Sequence, residues 1–150
     1  MSEPTEVMFR PAKGEDDLKF ILKSWIRSYA RSPYAGAMTR SRLVGAIKGT
    51  IGDLLRREDC VATMACNPNN SDQIFGFVVY ETNCDTPVLH YVYVKAPFRG
   101  FEIGSDLVSV ARGNRPGLMR YTFRTPASKK FLAGAKFEPN LARRDLKERK

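Results

Sequence analysis

The sequence predicts a mixed α/β fold, one sheet with helices on its faces, in the order β-α-α-β-β-β-α-β-α-β. Three observations predict it. Apolar residues recur at helical spacing in two N-terminal stretches. From Cys60 onward the pattern changes to apolar runs of strand length, separated by short turn clusters. The third run, Val88–Val94, then passes through a basic, glycine-containing turn into another helical stretch.

Val7–Arg10 reads as a first strand, stopped by Pro11. Gly14 to Asp17 carry turn and acidic helix-start signals. Leu18, Ile21, Leu22, Trp25, Ile26 and Tyr29 then form one apolar stripe on a helix of about four turns. Lys19, Lys23 and Arg27 fall off that stripe and are expected to face water. Pro33 and Gly36 mark a loop. Thr39 or Ser41 can cap a second helix carrying Leu43, Ile47, Ile51, Leu54 and Leu55. That helix also holds Gly45, Gly49 and Gly52, each costing about 1 kcal/mol relative to alanine. Close packing of another backbone is the expected reason, and a mobile lid the alternative.

CVATMAC, IFGFVVYE and VLHYVYV, joined by NPNNSD and TNCDTP, predict an antiparallel meander. Ile103–Arg112 is helical and stops at Gly113-Asn114-Arg115-Pro116. Leu118–Arg124 is the next strand, and Pro126 to Ser128 start a short helix reaching Ala133. Lys136–Glu138 is a last strand. Residues 1–140 are expected to form one domain, and 141–150 a basic tail; within it, Arg143–Lys150 holds five basic and two acidic residues.

No run approaches 18 apolar residues, so no membrane partner is expected. MSEPTEVMF lacks the basic and apolar regions of an export signal. Cys60, Cys66 and Cys84 are therefore expected to be reduced thiols in a cytoplasmic protein. One histidine and these cysteine spacings match no usual zinc site, so no metal is expected. The turn after Val88–Val94 lacks both G-x-G-x-x-G and the Walker lysine pattern. A net charge of +9 favours an anionic partner, with nucleic acid among the candidates.

The turn itself is an anion site in outline. Free backbone N–H groups and the positive end of a helix favour phosphate. In its place along the chain, Tyr93-Val94-Lys95-Ala96-Pro97-Phe98-Arg99-Gly100-Phe101-Glu102-Ile103-Gly104 resembles the cofactor loop of the GNAT superfamily, the Gcn5-related N-acetyltransferases. The family pattern is a strand valine, a link with proline, an aromatic, then Arg/Gln-x-x-Gly-x-Gly/Ala opening a helix. Arg99, Ile103 and Gly104 are in register with it. Lys129–Phe137 echoes the family's closing helix-to-strand segment. The chain also resembles short GNAT-type proteins of phages, which would put it in a host cytoplasm.

The resemblance implies an acyl-CoA N-acyltransferase fold, with acetyl-CoA or another acyl-CoA as co-substrate and an amine as acceptor. It implies that Val92, Tyr93 and Val94 line the pantetheine arm. Arg99, Gly100, Phe101, Ile103 and Gly104 would hold the phosphates. Members of the family often dimerise, so a homodimer is compatible with it. The amine would attack the thioester directly. His90 is the candidate base nearest neutrality, and strand alternation puts it on one face with Val92 and Val94. Glu81 is a second base, and Tyr93 a candidate acid.

Two residues depart from the family pattern. Glu102 stands where the family has glycine, and Phe131 or Leu132 near its closing-helix tyrosine. These departures motivate one alternative, a non-catalytic GNAT-like module binding nucleic acid or protein; the net charge of +9 permits another, a Mom-like relative that modifies DNA bases.

Overall fold

The structure is a computed structural model and describes residues 6–32, 40–82, 86–99, 102–115, 117–125, 130–132 and 134–143. Its elements in chain order are β1 (Met8–Pro11), α1 (Gly14–Ala30), α2 (Arg40–Arg56), β2 (Cys60–Asn67), β3 (Asn70–Glu81) and β4 (Val88–Val94). A 3-10 turn at Ala96–Phe98 follows, then α3 (Ile103–Arg112), β5 (Arg120–Tyr121), β6 (Lys136–Phe137) and the short α4 (Asn140–Arg143). The six strands form one sheet in sequence order. β1 to β4 pair antiparallel, while the β4–β5 and β5–β6 pairs are parallel.

Helices cover both sheet faces because both carry apolar side chains. On one face Ile21 and Trp25 of α1 and Ile51 and Leu54 of α2 bury against Phe77 and Tyr91. On the other, Ile103, Leu107 and Ala111 of α3 bury against Val78, Leu89 and Val92. Each fully buried side chain of this size stabilises the fold by about 2–3 kcal/mol. At the start of α1, Asp17 accepts the Lys13 backbone N–H at 2.8 Å and pairs with Arg10 at 2.6 Å. The Arg10 guanidinium holds the Asp17 carboxyl below the usual carboxylate range.

Three features differ from the sequence expectation. The glycines of α2 are not packed against a backbone. A Cβ added at Gly45 or Gly49 would meet no described atom within 4 Å, and at Gly52 only its own helix's Arg56 side chain at 3.7 Å.

Second, β4 carries a bulge at His90. Val79 faces Tyr91 and Tyr80 faces Leu89, so His90 has no partner on β3. The bulge breaks the alternation: Leu89, not His90, shares a layer with Val92 and Val94.

Third, the strand expected over Leu118–Arg124 pairs only briefly. Val88 meets Arg120, Leu89 meets Tyr121, and Thr122 N–H donates to Leu89 C=O at 3.2 Å. Past that point β4 continues to Val94 without a β5 partner. The expected closing helix falls mostly outside the described residues, with Lys130 and Phe131 helical.

Candidate functional site

The gap between β4 and β5 is the mouth of a cavity of about 580 Å³. It runs along the free edge of β4, so Tyr91 and Tyr93 of one sheet face and Val92 and Val94 of the other all line it. Its remaining walls are α1, the start of α3, and the Thr125 and Lys130–Phe131 region. This volume lies within the usual range for small-molecule clefts.

At the α3 end, Phe98, Arg99, Glu102, Gly104 and Ser105 line the wall. Arg99 is aimed by its Nε–H, which donates to the Val94 carbonyl at 2.8 Å, and its guanidinium lies 5.9 Å from the Tyr93 ring centroid. Glu102 is the residue before α3 and has φ 66° and ψ 1°. Among the described residues it is the one non-glycine with positive φ. That conformation explains a glycine requirement: a side chain there costs roughly 1–2 kcal/mol. Its carbonyl accepts the Asp106 N–H at 3.0 Å, so α3 begins properly despite the strain.

Gly104 has its own reason. A Cβ there would come within 3.0 Å of the Phe131 ring. Phe131 therefore closes over the start of α3, where it offers a ring and no proton.

Along α1, Ser24, Arg27, Ser28, Arg31 and the adjoining Ser32 face the cavity. Arg27 thus lines the site and does not merely face bulk water. Ser28 Oγ lies 2.6 Å from Tyr91 Oη, and the tyrosine ring stacks on Trp25 at 4.7 Å. Burial raises the Tyr91 phenol above its ordinary pKa, keeping it protonated.

His90 and Glu81 come together, but away from this cavity. Both are fully buried and neither lines it. His90 Nε2 lies 2.9 Å from Glu81 Oε2, and Nδ1 lies 2.8 Å from Thr122 Oγ1. Arg57 Nη1 approaches the same Glu81 oxygen at 3.6 Å and also donates to the Leu141 carbonyl, while Nη2 donates to the Ala142 carbonyl. Burial lowers the His90 pKa, partly offset by Glu81. The cluster ties α2, β3, β4, the β5 exit and α4 together.

Of the other sequence-derived site residues, Val92, Tyr93, Val94, Arg99 and Gly104 meet at the cavity. Ile103 is 1% exposed and packs into the α3 core. Gly100 and Phe101 lie outside the described residues. The serines and arginines that α1 gives to the cavity are not singled out by the sequence reading, although they recur at i, i+3, i+4, i+7 and i+8.

No protein-family model and no curated protein matches the sequence. Solved structures do match. A candidate acetyltransferase from Bacillus subtilis aligns at TM-score 0.62 and 14% identity, over 83% of this chain and 85% of that one. A candidate acetyl transferase from Pyrococcus furiosus aligns at TM-score 0.58 and 21% identity, over 84% and 89%. The GCN5-related glucosamine N-acetyltransferase region of a fungal multidomain GH3 β-N-acetylglucosaminidase aligns at TM-score 0.56 and 18% identity, over 82% of this chain and 14% of that one. The fold is that of the GNAT acetyltransferases.

Proposed function

We propose that the protein is an acyl-CoA-dependent N-acyltransferase that moves an acetyl group from acetyl-CoA to an amine. The observation that carries this reading is the cleft along the free edge of β4, ending at the start of α3. Its residues fit the cofactor. The unpaired β4 edge offers backbone groups to the amide-bearing pantetheine arm. Arg99, Lys130 and the α3 N-terminus offer positive charge to the pyrophosphate. Glu102 opposes that charge and weakens the fit without closing the cleft.

Acetyl-CoA supplies the activated acyl group as a thioester. In the transfer an N–C bond forms and the C–S bond breaks; the amine loses one proton and the thiolate gains one. The phenols of Tyr91 and Tyr93 are the cavity's candidate donors of that second proton. Tyr91 is the better held, by Ser28 and by Trp25. The buried Glu81–His90 pair, closed off from the cavity, is better suited to holding the β4 bulge than to accepting the amine proton. The described lining holds no imidazole and one carboxylate, Glu102, so that proton would pass to solvent entering the open cleft.

Glu102 and Phe131 favour a second reading, a GNAT-fold module that binds without turnover. Calorimetric titration with acetyl-CoA, followed by thiol-release assays with amines, separates the two. Saturable binding with thiol release supports the enzyme, and binding without release supports the module. No binding at millimolar acetyl-CoA would overturn both the acyltransferase and the CoA site.

A further inference from the structure

We infer that the acceptor is an amine that also carries an anionic group, a carboxylate or a phosphate, and that Arg27 and Arg31 bind it. This rests on the acyltransferase reading above. It names the acceptor class for the half of the cleft that the cofactor loop does not serve.

The direction of α1 separates the two halves. Near its start, Phe20 meets Tyr93 edge-on at 6.5 Å, and the Lys95 ammonium lies 5.2 Å from the Phe20 ring. Further along, Trp25 stacks on Tyr91 and Tyr29 meets Phe123 at 5.5 Å. The helix therefore runs from the level of Tyr93 and Lys95, next to the cofactor loop, past Tyr91 and towards the β5 exit. From Phe20 to Arg31 the helical rise amounts to about 16 Å. A pyrophosphate held at the start of α3 does not extend to both ends of that span.

The charge at this second end has one sign. Arg27 and Arg31 sit one turn apart on the cavity face, with Ser24, Ser28 and Ser32 beside them. Neither arginine makes an ion pair with a described residue. The one carboxylate among the described lining residues is Glu102, at the opposite end. A site for a plain polyamine needs carboxylates; this one presents two guanidiniums, beside serines of which Ser28 and Ser32 donate to α1 carbonyls at 2.7 Å. Guanidiniums suit carboxylate and phosphate through paired N–H donors. Cations also favour the C-terminal end of a helix, but that alone does not require them to face a cavity.

The test compares matched amines in a thiol-release assay with saturating acetyl-CoA. Ethanolamine is set against O-phosphoethanolamine, and putrescine against 4-aminobutyrate. Wild-type protein and the Arg27→Gln/Arg31→Gln variant are compared, with calorimetry of acetyl-CoA for each. The anionic member of at least one pair is expected to give the higher kcat/KM by tenfold or more, and the variant to lose that preference. The two pairs distinguish phosphate from carboxylate. Acetyl-CoA affinity is expected to stay within about twofold, since both substituted side chains lie outside the cofactor half. Equal or better use of the uncharged or cationic amines overturns the inference, as does an anion preference that survives in the variant. Failure of every anionic amine in wild-type protein that binds acetyl-CoA also overturns it. Weakened acetyl-CoA binding in the variant would assign the arginines to the cofactor instead. If wild-type protein binds no acetyl-CoA, it is the acyltransferase reading that fails, and the inference with it.

Discussion

Replacing Glu102 separates two effects that coincide at one residue, backbone strain and charge. Its φ of 66° costs a side-chain-bearing residue roughly 1–2 kcal/mol. Glycine removes that strain but loses about 0.4–1 kcal/mol through the greater freedom of the unfolded chain. Glu102→Gly should therefore raise stability by up to about 1.6 kcal/mol, or roughly 3–6 °C in Tm for a chain of this size. Glu102→Gln keeps the strain and should leave Tm unchanged. The charge acts on cofactor binding. Glu102 is exposed, so water screens its field. For a phosphate bound roughly 5 Å away and an effective dielectric of about 60, the repulsion would be about 1 kcal/mol, or roughly fivefold in Kd. Both variants should thus bind acetyl-CoA about fivefold more tightly, while only glycine raises Tm. Calorimetric titration and thermal unfolding read the two effects separately. Weaker binding by Glu102→Gln would refute the repulsion argument; a lower Tm for Glu102→Gly would refute the strain argument.

Three further outcomes are expected. Gly104→Ala should destabilise the protein by about 1–3 kcal/mol through overlap with the Phe131 ring, and Phe131→Ala in the same chain should recover part of that loss in thermal unfolding. His90 has a lowered pKa in the folded protein, so its contribution is full above the unfolded value of about 6.5 and is lost as pH falls below it; Tm should drop between pH 7.5 and 5.5, the underlying stability falling by no more than about 1.4 kcal/mol per pH unit, and His90→Asn should flatten the slope. Tyr91→Phe keeps the stack on Trp25 but removes the hydroxyl paired with Ser28, so kcat should fall at least tenfold with the KM for acetyl-CoA within twofold; an unchanged kcat would exclude Tyr91 as the acid.

The parts of the fold legible in the sequence are those set by local pattern. The limits of α3 follow from its apolar period and its glycine stop, and the meander follows from alternating strand runs and turn clusters. The conflict at Glu102 was also legible, because the loop pattern calls for glycine there and the backbone proves to be left-handed. What depends on a partner was not. Leu118–Arg124 has strand composition, yet most of it leaves β4, and no residue within it announces a missing neighbour. The bulge at His90 is likewise a property of two strands, and it moves the one histidine into a buried cluster with Glu81. The polar face of α1 was present as a spacing, but an arginine facing a cavity and one facing bulk water have the same sequence signature.

In the proposed acyltransferase, acyl-CoA lies along the free edge of β4 with its pyrophosphate at the start of α3. A crystal structure with coenzyme A tests it most directly. The pantetheine arm is expected beside Val92–Val94, the pyrophosphate on the α3 N-terminus near Arg99, and the sulfur pointing towards Tyr91. Coenzyme A bound elsewhere, or a β4–β5 gap filled by the protein's own side chains in its presence, would contradict it.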